Sequence, residues 1–226
     1  MFSRYRQSGV SLISLLIGLL ISMVALLGML SLYGTAVKST VESTRDARIA
    51  GERSSALLVA GMQLQGAGYG IDGAALGDDL LLLAGATLDR DGGSLSGGTN
   101  VIGSGDGNTL IWRTRPNGAT TWCSGLHAPS SAGQGGLYLL QSRSCSAITS
   151  VSTWEIRPLL IDDSDAVDHS LPIILSLTEH AAPGCSALGI AGSGRISAGL
   201  HTTDRNGNRI DSTTCLLNFA SGGNPP

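Results

Sequence analysis

VSLISLLIGLLISMVALLGMLSL, residues 10–32, is the stretch that decides the fold of this 226-residue chain. No charged side chain occurs from Gln7 to Val37, and only serine and glycine interrupt the apolar run. As a helix these 23 residues would rise about 35 Å, enough to cross the hydrocarbon core of a bilayer. Arg4 and Arg6 precede the run, so the positive-inside rule predicts a cytoplasmic N-terminus and an exported remainder.

Three kinds of targeting segment compete for this stretch. A cleaved secretory signal has an apolar core of about 7–15 residues and small residues at its exit. The core here is longer, and Gly34-Thr35-Ala36 is a poor exit. An uncleaved signal anchor and a leader that is cut on the cytoplasmic side of the helix are the other two readings.

The border between the basic leader and the apolar run is Arg6-Gln7-Ser8-Gly9, followed directly by Val10. This border resembles the class III leader of type IV prepilins, which a membrane prepilin peptidase cuts after the glycine. In that family the apolar helix is retained. The resemblance implies that residues 1–9 are a leader peptide, that Gly9 is its last residue, and that Val10 is the N-methylated mature N-terminus.

Ser14 stands at the fifth mature position, where most pilins carry a glutamate. That glutamate is thought to pair with the N-terminal amine of a neighbouring subunit, because a carboxylate at this depth in a membrane is costly without a partner. One class of pseudopilins that lacks the glutamate caps the filament tip. The resemblance therefore implies a position at or near a tip, or entry into the filament with a helper.

Residues 33–66 are predicted to continue the helix as an amphipathic periplasmic half. They contain no proline, and Lys38/Glu42 is an i,i+4 pair of opposite charges. Three glycines, at positions 66, 68 and 70, are expected to end the helix. A heptad-like stripe is expected to pack on the chain's own domain; it consists of Val37, Val41, Thr44, Gly51, Ser55, Leu58 and Met62.

The end of this helix, Leu64-Gln65-Gly66-Ala67-Gly68-Tyr69-Gly70-Ile71, resembles the segment "L-(R/Q)-x-A-G-Y-G-I" of the PilW family of minor pilins. Residues 105–113, GDGNTLIWR, resemble a later strand of that family more loosely. The resemblance covers residues 1–72 and 105–113. It implies an α+β type IV pilin fold, in which a long N-terminal helix packs on an antiparallel β-sheet domain.

The exported part, residues 67–226, is predicted to be a glycine-rich antiparallel β domain, because strand-like runs follow one another without intervening helices. The turn signals Pro116-Asn117-Gly118 and Arg205-Asn206-Gly207-Asn208 separate strand candidates. Residues 89–107 are almost entirely turn and loop residues, and we expect a solvated loop there. The predicted strands are 80–84, 109–115, 136–141, 151–161, 173–178, 194–202 and 209–219.

The four cysteines, Cys123, Cys145, Cys185 and Cys215, fit no zinc template and include no C-x-x-C. An exported domain meets an oxidising compartment, where disulfides form. Three pairings are possible; Cys123–Cys145 and Cys185–Cys215 are favoured as sequence neighbours, with free thiols as the alternative. The second pair resembles the disulfide-bounded region of pilins, which frames a surface for partners.

No pattern for catalysis or for a cofactor is found, so the chain is predicted not to be an enzyme and to need no cofactor. The four histidines are scattered and are expected to be surface or core residues. Calcium is the one ion with candidates, and solvated turns are the favoured reading of both of them. The candidates are Asp163, Asp165 and Asp168 in one acidic run, and Asp204, Asn206 and Asn208 in an EF-hand-like spacing without its closing glutamate.

Charge excludes some partner classes. Charged residues make up 14 % of the chain and the net charge is -3, which disfavours a basic nucleic-acid binder. The 42 % of hydrophobic residues disfavours a disordered chain. Removal of the leader would take away Arg4 and Arg6, leaving 12 cations and 17 anions, a mature charge of -5.

The function implied by the resemblance is that of a minor pilin. It would be a single-pass inner-membrane protein with a periplasmic C-terminal domain that moves to a cell-surface pilus. It would help to prime assembly with other minor pilins and the major pilin, and its tip could present an adhesin in support of adhesion, twitching motility or DNA uptake. A type II secretion pseudopilin is the close alternative. A signal-anchored periplasmic binding protein is the distant one.

Overall fold

The computed structural model describes residues 11–129, 135–151, 153–160, 172–181, 184–187, 190–203 and 208–220. The chain forms two compact units, Met1–Ala50 and Gly51–Pro226. The predicted leader and Val10 lie outside the described residues. The fold is α+β, with one long helix and antiparallel sheets.

Helix α1, Leu12–Gln65, is a single element of 54 residues. Its first part has the uncharged apolar composition that favours a helix in lipid, and no proline interrupts it. Hydroxyl side chains within the helix bond back to the preceding turn, as between Ser22 Oγ and Gly18 O at 2.8 Å and between Thr40 Oγ1 and Ala36 O at 2.8 Å. These bonds remove the cost of a lone hydroxyl on an apolar helix.

The Gly51–Pro226 unit contains eleven described strands in two sheets, and all pairs of neighbouring strands are antiparallel. The first sheet has the order β2-β1-β4-β5-β6-β7. Its strands are β1 (Leu80–Leu88), β2 (Leu95–Val101), β4 (Thr109–Thr114), β5 (Trp122–His127), β6 (Leu137–Ser144) and β7 (Ile156–Leu160).

The second sheet has the order β11-β10-β8-β3, with β9 also paired to β10. The long β10–β11 hairpin forms its largest part. The strands are β3 (Gly105–Gly107), β8 (Ile174–Glu179), β9 (Cys185–Ala187), β10 (Ile190–Thr203) and β11 (Arg209–Ala220).

The main hydrophobic core joins the C-terminal part of α1 to both sheets. Trp112 of β4, Leu175 of β8 and Leu200 of β10 are at most 2 % exposed and belong to this one cluster. The helix contributes small residues such as Ala56 and Ala60, which let its backbone approach the strands closely. A second cluster, which includes Leu81, Ile111, Leu140 and Trp154, covers the opposite face of the first sheet, so this sheet is buried on both faces.

The predicted core stripe was wrong for the part of the helix that lies in the Gly51–Pro226 unit. Leu58 and Met62 of that stripe are 65 % and 54 % exposed. The helix buries a neighbouring face instead, made of Arg53, Ala56, Leu57, Ala60, Gly61 and Leu64. Size explains the difference, since a Cβ on Gly61 would lie only 3.2 Å from Thr214 Oγ1 and larger side chains cannot enter this contact.

The predicted solvated loop over residues 89–107 was also wrong, because β2 and β3 lie within it. Most side chains of β2 are exposed, so the strand gives no hydrophobic alternation. Main-chain pairing with β1 holds it, and Gly97 and Gly98 have φ of 68° and 90°, which fits them to a distorted part of the ladder. The seven predicted strand regions are all occupied by strands, whereas β2, β3, β5 and β9 were not predicted.

The glycine-rich segment after α1 joins the helix to both sheets. The helix ends at Gln65, as expected. Gly68 N then donates to Arg113 O at 2.9 Å, and Asn218 Nδ2 donates to Ala67 O at 2.8 Å. A Cβ on Gly70, whose φ is 73°, would lie 2.2 Å from Arg115 O. The glycines are therefore required both by the backbone conformation and by the close approach of β4.

Candidate functional site

The most extensive candidate surface is the apolar first part of α1. Fifteen large apolar side chains between Leu12 and Leu32 are 54–76 % exposed. The helix is long and apolar enough to cross a membrane. Tyr33, which is 69 % exposed, follows directly, and an aromatic side chain with a hydroxyl is typical of the membrane–water boundary. This surface is compatible with association with a membrane.

Small residues share one face of this apolar helix. Ser14, Gly18, Ser22 and Ala25 recur at intervals of three and four residues, so they lie above one another. A Cβ on Gly18 would meet nothing within 4 Å. Such a face allows another helix backbone to approach closely in lipid. Ser14, which the resemblance to pilins places where a glutamate is usual, lies on this face and is exposed.

Both favoured disulfides are present, and no cysteine is free. Cys123–Cys145 joins β5 to the segment after β6, and its sulfur atoms belong to the second core cluster. Cys185–Cys215 joins β9 to β11. A Cβ on Gly194 of β10 would lie 2.6 Å from Cys215 Sγ, so this disulfide crosses the sheet above a glycine. Two disulfides indicate a domain that folds in an oxidising compartment.

His127 is a core histidine, one of the two roles expected for the scattered histidines. It is 3 % exposed, and its Nδ1 lies 2.7 Å from the hydroxyl of Thr109, the residue opposite it on β4. Burial lowers the pKa of His127 to about 4, because the charged imidazolium would lose its hydration. The ring is therefore neutral at pH 7.

His201 lies in a polar chain that the sequence did not reveal. Ser176 Oγ is 2.6 Å from His201 Nε2, and His201 Nδ1 is 2.7 Å from Asp211 Oδ1. Arg209 Nε donates to the same Asp211 oxygen at 2.6 Å. The bond from Arg209, followed by that from His201, lowers the pKa of the Asp211 carboxyl. The strand register brings these residues together, since Gly199 of β10 pairs with Ser176 and His201 pairs with Asp211.

A cavity of about 280 Å³ lies beside His201. Ile174 and Pro172 give it an apolar side, whereas Asp106 and Arg209 give it charged groups. Thr202 also lines it; this residue is 4 % exposed, and its hydroxyl has no hydrogen-bond partner among the described residues. The sequence shows alternating side chains along β8, β10 and β11. It does not show the register between these strands, and without the register the contacts among their side chains cannot be predicted.

Several predicted sites lie outside the described residues. These are the cleavage site at Gly9 and Val10 and most of the calcium candidates, namely Asp163, Asp165, Asp168, Asp204 and Asn206. Asn208 is described, at the start of the last hairpin strand. Within the described ranges, no three His, Cys, Asp or Glu side chains are grouped to hold a metal ion. Processing and calcium binding therefore stay predictions.

Comparisons with known proteins gave no match: no family model, no curated protein and no solved structure matches this chain.

Proposed function

We propose that this protein is a PilW-like minor pilin, a structural subunit that primes a type IV pilus at the inner membrane and joins the filament at or near its tip. The observation that carries the proposal is one continuous helix, α1, whose first part is apolar and exposed. It follows a basic leader that ends in Gly9. A pilin needs this combination, because its N-terminal helix lies first in lipid and later among other helices.

The apolar surface of α1 favours lipid or protein over water. Removing one large apolar side chain from water contributes about 1.5–3 kcal/mol. For the fifteen half-exposed or more exposed side chains of residues 12–32, the gross free energy is on the order of 20 kcal/mol. Lipid tails and neighbouring helices offer similar apolar surroundings, so moving from membrane to filament costs little hydrophobic free energy.

Helix packing would then decide assembly, and the small-residue face of α1 supports it. Ser14, Gly18, Ser22 and Ala25 let a neighbouring helix approach closely along this face. Ser14 brings no buried carboxylate with it, so the helix enters an apolar filament core without the penalty of an unpaired charge. A subunit without that charge is suited to the tip, where one neighbouring subunit is missing.

The domain beyond the membrane has the properties of a secreted adaptor. Its two disulfides stabilise it in an oxidising compartment. The joint at residues 66–71 ties the helix end to strands of both sheets. Partner proteins of this surface would be other minor pilins, the major pilin and a tip adhesin.

Mass spectrometry of the N-terminus of the native protein tests processing. The proposal expects a chain that begins with N-methylated Val10, whereas an intact Met1 would refute it and would favour a signal-anchored periplasmic protein. Deletion of the prepilin peptidase in the same strain is the control and should restore Met1. Recovery of the protein from sheared pili supports a pilus subunit. Its absence from pili, with type II secretion lost in a deletion strain, would instead favour a pseudopilin.

A pair of glycine variants tests the packing of the helix. Gly18→Leu places a large side chain on the small-residue face, whereas Gly34→Leu places it on the opposite face of the helix; a Cβ has open space at both positions. Both variants should insert into the membrane, as measured by carbonate extraction. Gly18→Leu is expected to reduce recovery in sheared pili at least fivefold relative to Gly34→Leu. Equal recovery of the two would contradict the role of this face.

A further inference from the structure

We propose that Ser176, His201 and Asp211 form a nucleophilic acyl-transfer site on the outer face of the second sheet. In it Ser176 is the nucleophile, His201 is the general base, and Asp211 orients the base. The substrate class is short acyl esters. The site lies within the Gly51–Pro226 unit and does not depend on the proposed pilus function.

The contacts follow the order that activates a serine. A serine becomes nucleophilic when an imidazole accepts its proton and a third group holds the imidazole in place. Here Ser176 Oγ lies 2.6 Å from His201 Nε2, and Asp211 Oδ1 lies 2.7 Å from the other ring nitrogen, Nδ1. The three side chains come from β8, β10 and β11, so rigid strands and not loops fix the geometry.

Arg209 completes the chain as a positioning residue. Its Nε donates to Asp211 Oδ1 at 2.6 Å, which holds the carboxylate beside the imidazole. Its Nη2 also lies 2.9 Å from His201 Nδ1. The carboxylate can only accept and the guanidinium can only donate, so the tautomer of His201 decides which contact is a hydrogen bond. The contact of His201 Nδ1 with Asp211 is the shorter of the two, which favours a proton on Nδ1. In this tautomer His201 Nε2 accepts a hydrogen bond from Ser176.

Gly199 leaves room for the side chains of the Ser–His pair, in which Ser176 is 7 % exposed. It pairs with Ser176 across the β8–β10 ladder. A Cβ at this position would lie 2.5 Å from Ser176 Oγ and 2.7 Å from His201 Nε2. Its φ is not in the left-handed region, so the space above the Ser–His pair, and not the backbone conformation, calls for glycine here.

The acyl group would bind in the cavity that His201, the general base, lines. At about 280 Å³ it is near the lower end of small-molecule sites, so it fits a short acyl chain. Ile174 and Pro172 would contact the methylene groups of that chain.

The reaction expected at this site is ester hydrolysis, with water as the second reactant. Ser176 Oγ forms a bond to the carbonyl carbon of the ester while its proton moves to His201 Nε2. The carbonyl–alkoxy bond breaks, and the leaving alcohol takes that proton. Water then attacks the acyl-serine with His201 again as base, which releases the carboxylic acid and restores Ser176.

The surroundings of Ser176 determine the probe. β8 is a central strand with β3 on one side and β10 on the other, so the main-chain N–H of Ser176 belongs to a ladder and is not available for an oxyanion hole. Without such donors, turnover is expected to be slow, by a factor of about 100–1,000. The rate of covalent labelling by an activated electrophile therefore measures the reactivity of Ser176 better than the turnover rate does.

Ser197 provides a matched control in the same sheet. Its hydroxyl lies 2.8 Å from His180 Nε2, and no carboxylate bonds the other nitrogen of that ring within the described residues. The full-length protein in detergent would be treated with a fluorophosphonate, which phosphonylates an activated serine and releases fluoride. Peptide mass spectrometry would then compare the labelling rates of Ser176 and Ser197 in the wild-type chain, without any variant that has to fold.

The site predicts labelling of Ser176 at least tenfold faster than that of Ser197. Labelling should be lost in Ser176→Ala and should fall at least tenfold in His201→Gln and Asp211→Asn, whereas His180→Gln should label like wild type. Tryptophan fluorescence would verify that each variant is folded. Unlabelled Ser176, equal rates at Ser176 and Ser197, or unchanged labelling in folded His201→Gln would overturn the assignment.

Discussion

His127 is expected to make the fold less stable as the pH falls from 7.5 to 5. The ring is 3 % exposed, and burial lowers its pKa to about 4, from 6.5 for an ordinary histidine. In the unfolded chain the ring would regain its ordinary pKa. The folded state therefore does not bind a proton that the unfolded state binds. The free energy of unfolding falls as the pH drops below 6.5, and the contribution of this histidine is fully lost below about pH 4.

The size of the effect follows from these two pKa values. At pH 7.5 the ring is neutral in both states, so it contributes almost nothing to a pH dependence. At pH 5 the unfolded chain is nearly fully protonated and the folded chain is not, which corresponds to a loss of about 2 kcal/mol. The limit below pH 4 is about 3 kcal/mol.

Urea unfolding of the full-length protein in detergent measures this loss. All three tryptophans, at positions 112, 122 and 154, lie in the Gly51–Pro226 unit, so their fluorescence reports on that unit. Between pH 7.5 and pH 5, wild type should lose about 2 kcal/mol more than His127→Gln, because glutamine does not titrate.

Leu126→Ala is the control: it removes a fully buried neighbour and should lower stability by about 2–5 kcal/mol at every pH. If the free energy of unfolding changes equally with pH in His127→Gln and in wild type, burial does not lower the pKa of His127 and this prediction is wrong.

Three further outcomes are expected. Replacing both Cys185 and Cys215 by serine opens a loop whose ends are 30 residues apart and should reduce the free energy of unfolding by about 3–4 kcal/mol; a loss under about 1 kcal/mol would contradict the chain-entropy argument. Gly70→Ala places a Cβ 2.2 Å from a main-chain carbonyl oxygen and should cost well over about 2 kcal/mol, whereas Gly73→Ala, with a similar φ of 67° but open space, should cost about 1 kcal/mol. Urea titration measures the free energy of unfolding of Gly70→Ala and Gly73→Ala, and equal losses in the two variants would show that the clash at Gly70 is relieved. Ser14→Glu should leave the amount of assembled pili unchanged or raise it; its abolition of assembly would rule out the tip position inferred from this residue.

Local patterns were enough to predict the largest features. A charge-free apolar run forms a helix wherever lipid or protein surrounds it, so α1 could be read directly from residues 10–32. Its end at Gln65 followed from three glycines, because their backbone freedom terminates a helix locally. Strands with apolar positions on a buried face, such as β4 and β8, were found for the same reason. The disulfide partners came from proximity along the chain.

Features made by non-local contacts were not predictable. β2 is held by main-chain pairing and exposes most of its side chains, so its glycines look like a loop in the sequence. The core face of α1 was misjudged because the exposed Leu58 and Met62 are more apolar than Ala56 and Ala60, which are buried. The shape of the opposing strands, and not hydrophobicity, selected the small residues.

The sequence by itself determined one apolar helix, a disulfide-bonded β domain and the resemblance of the predicted leader and the helix to prepilins. The tertiary structure alone decided the two sheets, the buried neutral His127 and the Ser176–His201–Asp211 chain. Ser176 and Asp211 are 35 positions apart, and only the register of β8, β10 and β11 places them on either side of one imidazole. A slip of a single residue would turn each side chain to the opposite face, and no local pattern in the sequence fixes that register.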